Sequence, residues 1–95
     1  MNRKLTLADL HANIANKEIV KHVTKSGQIL RWCVLTTQCG FAVTGRPSAA
    51  VCAENDNAEM GEKIATDNAI NELWPLMGYM LKEDISRINQ ADKEF

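Results

Sequence analysis

Apolar positions along this chain first follow a helical spacing, then a strand spacing, then a helical one again. Leu7, Leu10 and Ile14 stand at i, i+3 and i+7, which predicts a short amphipathic helix over roughly 7–15. Thr6 is its N-cap, with Asp9 as the acid of a capping box and Asn16 as its stop. From Glu18 to Thr24 the apolar residues are Ile19, Val20 and Val23, the pattern of a short strand. Lys25-Ser26-Gly27-Gln28 reads as a turn built on Gly27. Ile29 to Thr37 is the strongest strand, rich in β-branched and aromatic residues. Leu30, Trp32, Val34 and Thr36 share one of its faces; Ile29, Arg31, Cys33, Leu35 and Thr37 share the other.

Gln38-Cys39-Gly40 is a hairpin connection in which Gly40 takes the left-handed conformation. Phe41-Ala42-Val43-Thr44 returns as a third strand, and Gly45-Arg46-Pro47-Ser48 ends it. Connections this short allow only an antiparallel meander. Ala49 to Asn57 is predicted to be irregular. A helix then runs from about Ala58 to Trp74, capped by Asn55, Asp56 or Asn57. Its small residues Gly61, Ala65 and Ala69 recur every four positions, so that face should lie close against the sheet. Pro75 removes an N–H and predicts a kink or break, with Gly78 permitting the chain to turn. Met77, Leu81, Ile85 and Ile88 make a further apolar stripe on a last helix. Residues 1–5 and 90–95 are expected to fray. The prediction is therefore one α+β domain of α-β-β-β-α order, ending in a long helix kinked or broken at Pro75.

Composition narrows the function classes. Eleven Lys and Arg against twelve Asp and Glu give a formal net charge of −1, which argues against a general nucleic-acid coat. The total hides a segregation: Lys21, Lys25, Arg31 and Arg46 lie in the strand region, whereas residues 54–67 are acid-rich. No run approaches the roughly 20 apolar residues of a membrane span, and the N-terminus has no apolar leader core, so a cytosolic location is expected. Cys33, Cys39 and Cys52 are three in number without C-x-x-C spacing, the pattern of free thiols.

Little in the sequence suggests catalysis. His11 and His22 have no ligand at metal-binding spacing, so no metal or other cofactor is expected. Cys39 and Cys52 fall in predicted loops, but nothing local would lower their pKa. Glu54/Asp56 and Glu59/Glu62 are explained by helix capping and the helix dipole. The element order is also that of double-stranded-RNA-binding domains, and Gly61 to Leu73 resembles the packing face of their final helix. Those domains grip phosphate with lysines at that helix start; here Lys63 is surrounded by Glu54, Asp56, Glu59, Glu62 and Asp67. Trp74-Pro75-Leu76-Met77-Gly78-Tyr79 is the most unusual segment. With aromatics at 5%, both tryptophans are expected in the core, leaving Tyr79 and the Met77/Met80/Leu81 stripe open to a partner.

A family resemblance covers roughly residues 6 to 82. Cys39-Gly40-Phe41-Ala42-Val43-Thr44-Gly45, Glu62-Lys63-Ile64-Ala65, Asn68-Ala69 and Leu73-Trp74-Pro75-Leu76-Met77-Gly78-Tyr79-Met80-Leu81 resemble a family of small phage and prophage proteins. It is known by the products of gene forty-nine of a coliphage and gene sixty-six of a Shigella phage. The chain departs from the family pattern at Cys39, where Asn is usual. It departs again at Ala53-Glu54-Asn55-Asp56-Asn57, where a Pro-Glu-Asn-Phe-Asp-like stretch is usual. The resemblance implies a phage or prophage accessory protein in the bacterial cytoplasm, and it carries no catalytic residue across. Gly40, Phe41, Val43, Thr44 and Gly45 then read as hairpin chemistry, and Pro75 and Gly78 as a helix break.

The expected function is non-catalytic modulation of a host or defence component, by binding that component or a small signalling ligand. Arg31, Arg46, Lys63, Trp74 and Tyr79 are the candidate binding residues. The expected partner is a host or phage protein, with homo-oligomerisation through the C-terminal helix possible and no membrane partner. A nucleic-acid-binding module on the same scaffold is the alternative.

Overall fold

The computed structural model describes residues 4–93, and side chains as far as residue 90. Helix α1 (Leu7–Ala12) begins at the expected cap. The Thr6 hydroxyl accepts from the Asp9 N–H at 3.2 Å, and the Asp9 carboxylate accepts from the Thr6 N–H at 2.9 Å. The helix stops at Asn13, short of the predicted residue 15, because the chain turns at once into strand β1 (Ile14–Val23). The sequence reading makes Asn16 a helix stop and begins the strand at Glu18, but Asn16 and Lys17 belong to the strand. They are strand because β2 (Ile29–Thr37) offers them a ladder: Asn16 sits opposite Thr36 and Lys17 opposite Leu35. One extra residue, Ala15, is accommodated by a register shift between Ile14 and Asn16.

β2 is the centre of an antiparallel sheet. β1 runs along one of its edges. Along the other lie β3 (Ala42–Thr44), opposite Val34 to Thr36, and β4 (Ser48–Ala50), opposite Ile29 to Arg31. β4 corrects the sequence reading, which ended the strand at residues 45–48 and made 49–57 irregular. Gly45-Arg46-Pro47 interrupts a strand that resumes: three residues face only Trp32 and Cys33, and Pro47 has no N–H for the ladder. Ser48-Ala49-Ala50 has little strand preference of its own and is held by its pairing with β2. A single 3₁₀ turn, Ala53–Asn55, follows.

Helix α2 spans Ala58–Lys93 without a break. Of the kink or break expected at Pro75 the break does not occur, and Gly78 is an ordinary helical residue rather than a turn. Pro75 and Asn71 are both exposed, so the carbonyl of Asn71, which Pro75 cannot bond, faces water, and the proline is tolerated. Residues 90–93, expected to fray, continue the helix. Residues 1–3 and 94–95 of the ends expected to fray lie outside the described residues.

Both helices pack on the Arg31/Cys33/Leu35 face of β2. Leu10, Cys33, Leu35, Ala65, Ala69 and Leu73 form the buried core, flanked by Leu5, Ile14, Ile19, Val43, Ile70, Trp74 and Met77. The small-residue row allows this approach, as predicted: Ala65 and Ala69 are fully buried. Gly45 meets the helix backbone directly, and a Cβ there would overlap the Asn68 carbonyl and the Ala69 nitrogen. At Gly61 a Cβ would crowd the Arg31 guanidinium and the Ser48 hydroxyl, each at 3.2 Å.

Two glycine substitutions should therefore move stability in opposite directions. Gly45→Ala forces α2 off the sheet and should cost at least about 2 kcal/mol. Gly78→Ala adds a methyl with nothing within 4 Å and should gain about 0.5–1 kcal/mol from better helix propensity. Urea unfolding of both variants measures the difference.

Candidate functional site

The candidate binding residues are distributed over the molecule rather than gathered. Arg31 projects from the buried face of β2 and makes a fork with the Asp56 carboxylate, Nη1 to Oδ1 at 2.5 Å and Nη2 to Oδ2 at 2.8 Å. Both side chains are largely buried. Asp56 follows the 3₁₀ turn, so this pair ties the 51–57 loop to the sheet under the start of α2. The hydrogen bond to Arg31 holds the Asp56 carboxyl below its usual range, with Lys21 adding a weaker pull. The same bond, helped by Glu62, raises Arg31. The segregated charges of the sequence thus meet across the fold. The guanidinium of Arg31, a candidate binding residue, is answered from within the chain.

The other positions separate as well. Arg46 is exposed, and its carbonyl accepts from the Asn68 amide at 3.0 Å. Lys63 is exposed and pairs with Asp67 at 3.2 Å. Trp74 is half-buried against the core, the packing role expected of it. Tyr79 is 67% exposed, and its hydroxyl donates to Glu83 at 3.0 Å. Arg31, with Ser48, Met60, Gly61 and Ile64, lines a depression of about 220 Å³. Lys63 lies instead in a groove with Lys17, Glu59, Glu62 and Asp67. That groove gathers three carboxylates and two lysines.

The motif residues have local explanations. Gly40 takes φ +91° in the hairpin, its N–H bonded to the Thr37 carbonyl at 2.9 Å. The Phe41 carbonyl accepts from the Thr37 N–H at 2.8 Å and its hydroxyl at 3.1 Å, while the Phe41 ring is exposed. Val43 packs on the core and Thr44 lies on the far side of the sheet. Gly45 and Asn68-Ala69, distant in sequence, are one contact. Cys39 occupies the hairpin and corrects the expectation that nothing local lowers its pKa: its hydrogen bond with the Thr37 hydroxyl, two residues away at 3.4 Å, lowers the thiol.

Sequence reasoning left two features unassigned. Asp56 was read as a possible helix cap. The side chain that caps α2 is Asn57, which accepts from the Met60 N–H at 3.1 Å. The second feature is the open face of the sheet. β2 turns its Arg31 side inward and its Trp32 side outward, so Trp32 lies outside the core in which it was expected. Leu30, Trp32 and Val34 are only half-buried there, and Val20, opposite Trp32, is 48% exposed. Glu18, His22, Asn16, Thr36 and Thr44 surround them. Among the described residues no group of three or more His, Cys, Asp or Glu could hold a metal ion. No described helix is long and apolar enough to cross a membrane.

The Arg31–Asp56 pair predicts a pH dependence. A carboxyl lowered in the folded state adds stability above its unfolded pKa of about 3.9, and that stability is lost as pH falls through the lower folded value. Thermal melts from pH 7 to pH 2 should show this acid limb for the native chain. Asp56→Asn should lower Tm at neutral pH, where it leaves the Arg31 charge buried without its counterion, and flatten the limb.

Three comparisons with known proteins bear on the identity of the chain. Neither curated proteins nor solved structures give a match. A family model for phage proteins, described as N4 Gp49/phage Sf6 gene 66, matches residues 5–85. That span holds the hairpin, the Gly45 contact, the helix seated on it and the Trp74–Leu81 segment. The chain belongs to this phage protein family.

Proposed function

We propose that the protein is a non-catalytic phage accessory protein that modulates a host or defence component by binding it through the open face of the sheet. The observation that carries this reading is the outward placement of Trp32. An aromatic side chain stands at the middle of a face on which neither helix packs, flanked by Leu30, Val34 and Val20. An apolar centre with a polar rim of Asn16, Glu18, His22, Thr36 and Thr44 has the anatomy of a protein–protein contact. Trp is also among the residues that dominate binding energy in such contacts. The partner chemistry that fits is an apolar protein surface carrying a few hydrogen-bonding groups. The family match supports a phage origin. The engagement of Arg31 by Asp56 and of Lys63 by Asp67 weighs against anion capture as the main activity.

The reading is tested with a photo-crosslinking amino acid at Val20, expressed in the bacterial host. The expected result is one discrete adduct heavier than two copies of the chain, lost when Thr44→Lys and Trp32→Ser are added. The same probe at Lys63, on the helix side, should not form that adduct. Adducts equally strong from both positions, or none heavier than two copies, would overturn the proposal.

A further inference from the structure

Four segments of the chain meet around the depression beside Arg31. β2 supplies Arg31, β4 supplies Ser48, the loop before α2 supplies Asn55 to Asn57, and the first turns of α2 supply Met60, Gly61 and Ile64. At about 220 Å³ it is smaller than the roughly 300–1,000 Å³ of pockets for drug-sized molecules. That is room for one ring or a short branched group. Some of the room exists because residue 61 is glycine: a Cβ would stand 3.2 Å from both the Ser48 hydroxyl and the Arg31 Nη1.

The floor carries polar groups that the fold leaves unused. Ser48 sits opposite Arg31 in the ladder, so the two side chains share the face turned to α2. Ser48 is only 7% exposed, yet its hydroxyl makes no hydrogen bond to any described residue and is not sealed off from the depression. A hydroxyl withdrawn this far from water without a partner costs free energy, which a bound acceptor would recover. A guanidinium has five N–H donors. Asp56 takes two of them, and the other three have no acceptor among the described residues. Above this floor the walls are aliphatic and open: Val51 is 78% exposed, and Met60 and Ile64 are exposed beside it.

Charge selects the occupant. Of the described residues lining the depression only Arg31 and Asp56 are charged, and they cancel. An anion would meet the Asp56 carboxylate and the field of Glu62, and a cation would meet the guanidinium. The remaining polar residues, Ser48, Asn55 and Asn57, are uncharged hydroxyl and amide groups. The group that matches them is itself an amide, neutral and equipped to accept and donate.

We propose that this depression binds an uncharged small molecule through an amide group, its oxygen on Ser48 and Arg31 and its apolar body between Val51, Met60 and Ile64. The depression lies on the helix side of the sheet, opposite the face assigned above to a partner. Either proposal can fail without the other.

Benzamide is the probe, with benzoate and benzamidine as its anionic and cationic counterparts. In NMR titrations of the isotope-labelled chain, benzamide should shift the amide signals of Ser48, Val51 and Gly61 saturably, with a Kd of about 0.1–5 mM. The Trp32 indole signal should stay in place. Benzoate and benzamidine should bind at least about tenfold more weakly. Ser48→Ala removes only the hydroxyl and should weaken benzamide about fivefold. Val51→Ser, at a position too exposed to matter for folding, should weaken it about threefold. No saturable shift, equal shifts at Trp32, a charged counterpart binding as tightly as benzamide, or an unchanged affinity in either variant would overturn the proposal.

Discussion

The close seating of α2 on β2 is the constraint on which the other features depend. Gly45 touches the helix backbone at Asn68 and Ala69, Gly61 leaves room for the Arg31 guanidinium, and Ala65 and Ala69 present almost no side chain between the two. A helix carrying larger residues there would stand farther from the sheet. Leu10 and Leu73 would then not close the ends of the layer, and Arg31 would face a gap rather than the Asp56 carboxylate. The core is small, so this closeness supplies through many short contacts what bulk would otherwise supply.

That seating also decides which face of β2 is inside. The strand offers two faces of similar apolar content, and by composition the one holding Trp32 is the stronger claimant for burial. The inward face instead holds Arg31, because the 51–57 loop brings Asp56 to meet it. A buried ion pair of this geometry is tolerated when both partners are hydrogen-bonded, and it fixes the position of the loop more than it adds stability. The consequence is an open sheet face with Trp32 at its centre. The surface proposed for a partner is thus set by a choice made on the opposite side of the sheet.

Much of the fold was legible where local chemistry and tertiary structure agree. The Thr6/Asp9 cap, the period-two run of Ile29 to Thr37, the left-handed Gly40 and the small-residue face of α2 were all read from neighbouring residues and found in place. The failures share a cause. β4 and the first residues of β1 have weak strand preference and exist because β2 supplies partners. Pro75 is a local stop signal overridden by a helix already anchored on both sides of it by Leu73, Trp74 and Met77. The candidate site was the least legible part. Arg31 was named as a candidate binding residue, but the partner it has in the fold, Asp56, lies 25 residues away in a loop with no periodic signal. Nor does the order of residues say which face of a strand is left open.

The charge pattern illustrates the same limit. Basic strands and an acidic helix start in the sequence suggest a site for an external anion. In the fold, Lys21 and Arg31 on the sheet face Asp56 and Glu62 at the helix start, so the segregation serves docking within the chain. The central claim is that helix and sheet form one unit held by their close approach. Native-state hydrogen exchange measures this most directly. The account predicts that amides of residues 61–73 and of 29–37 exchange through one common opening with equal free energy. Exchange of the helix at markedly lower free energy than the central strand, showing that α2 lifts away independently, would contradict it.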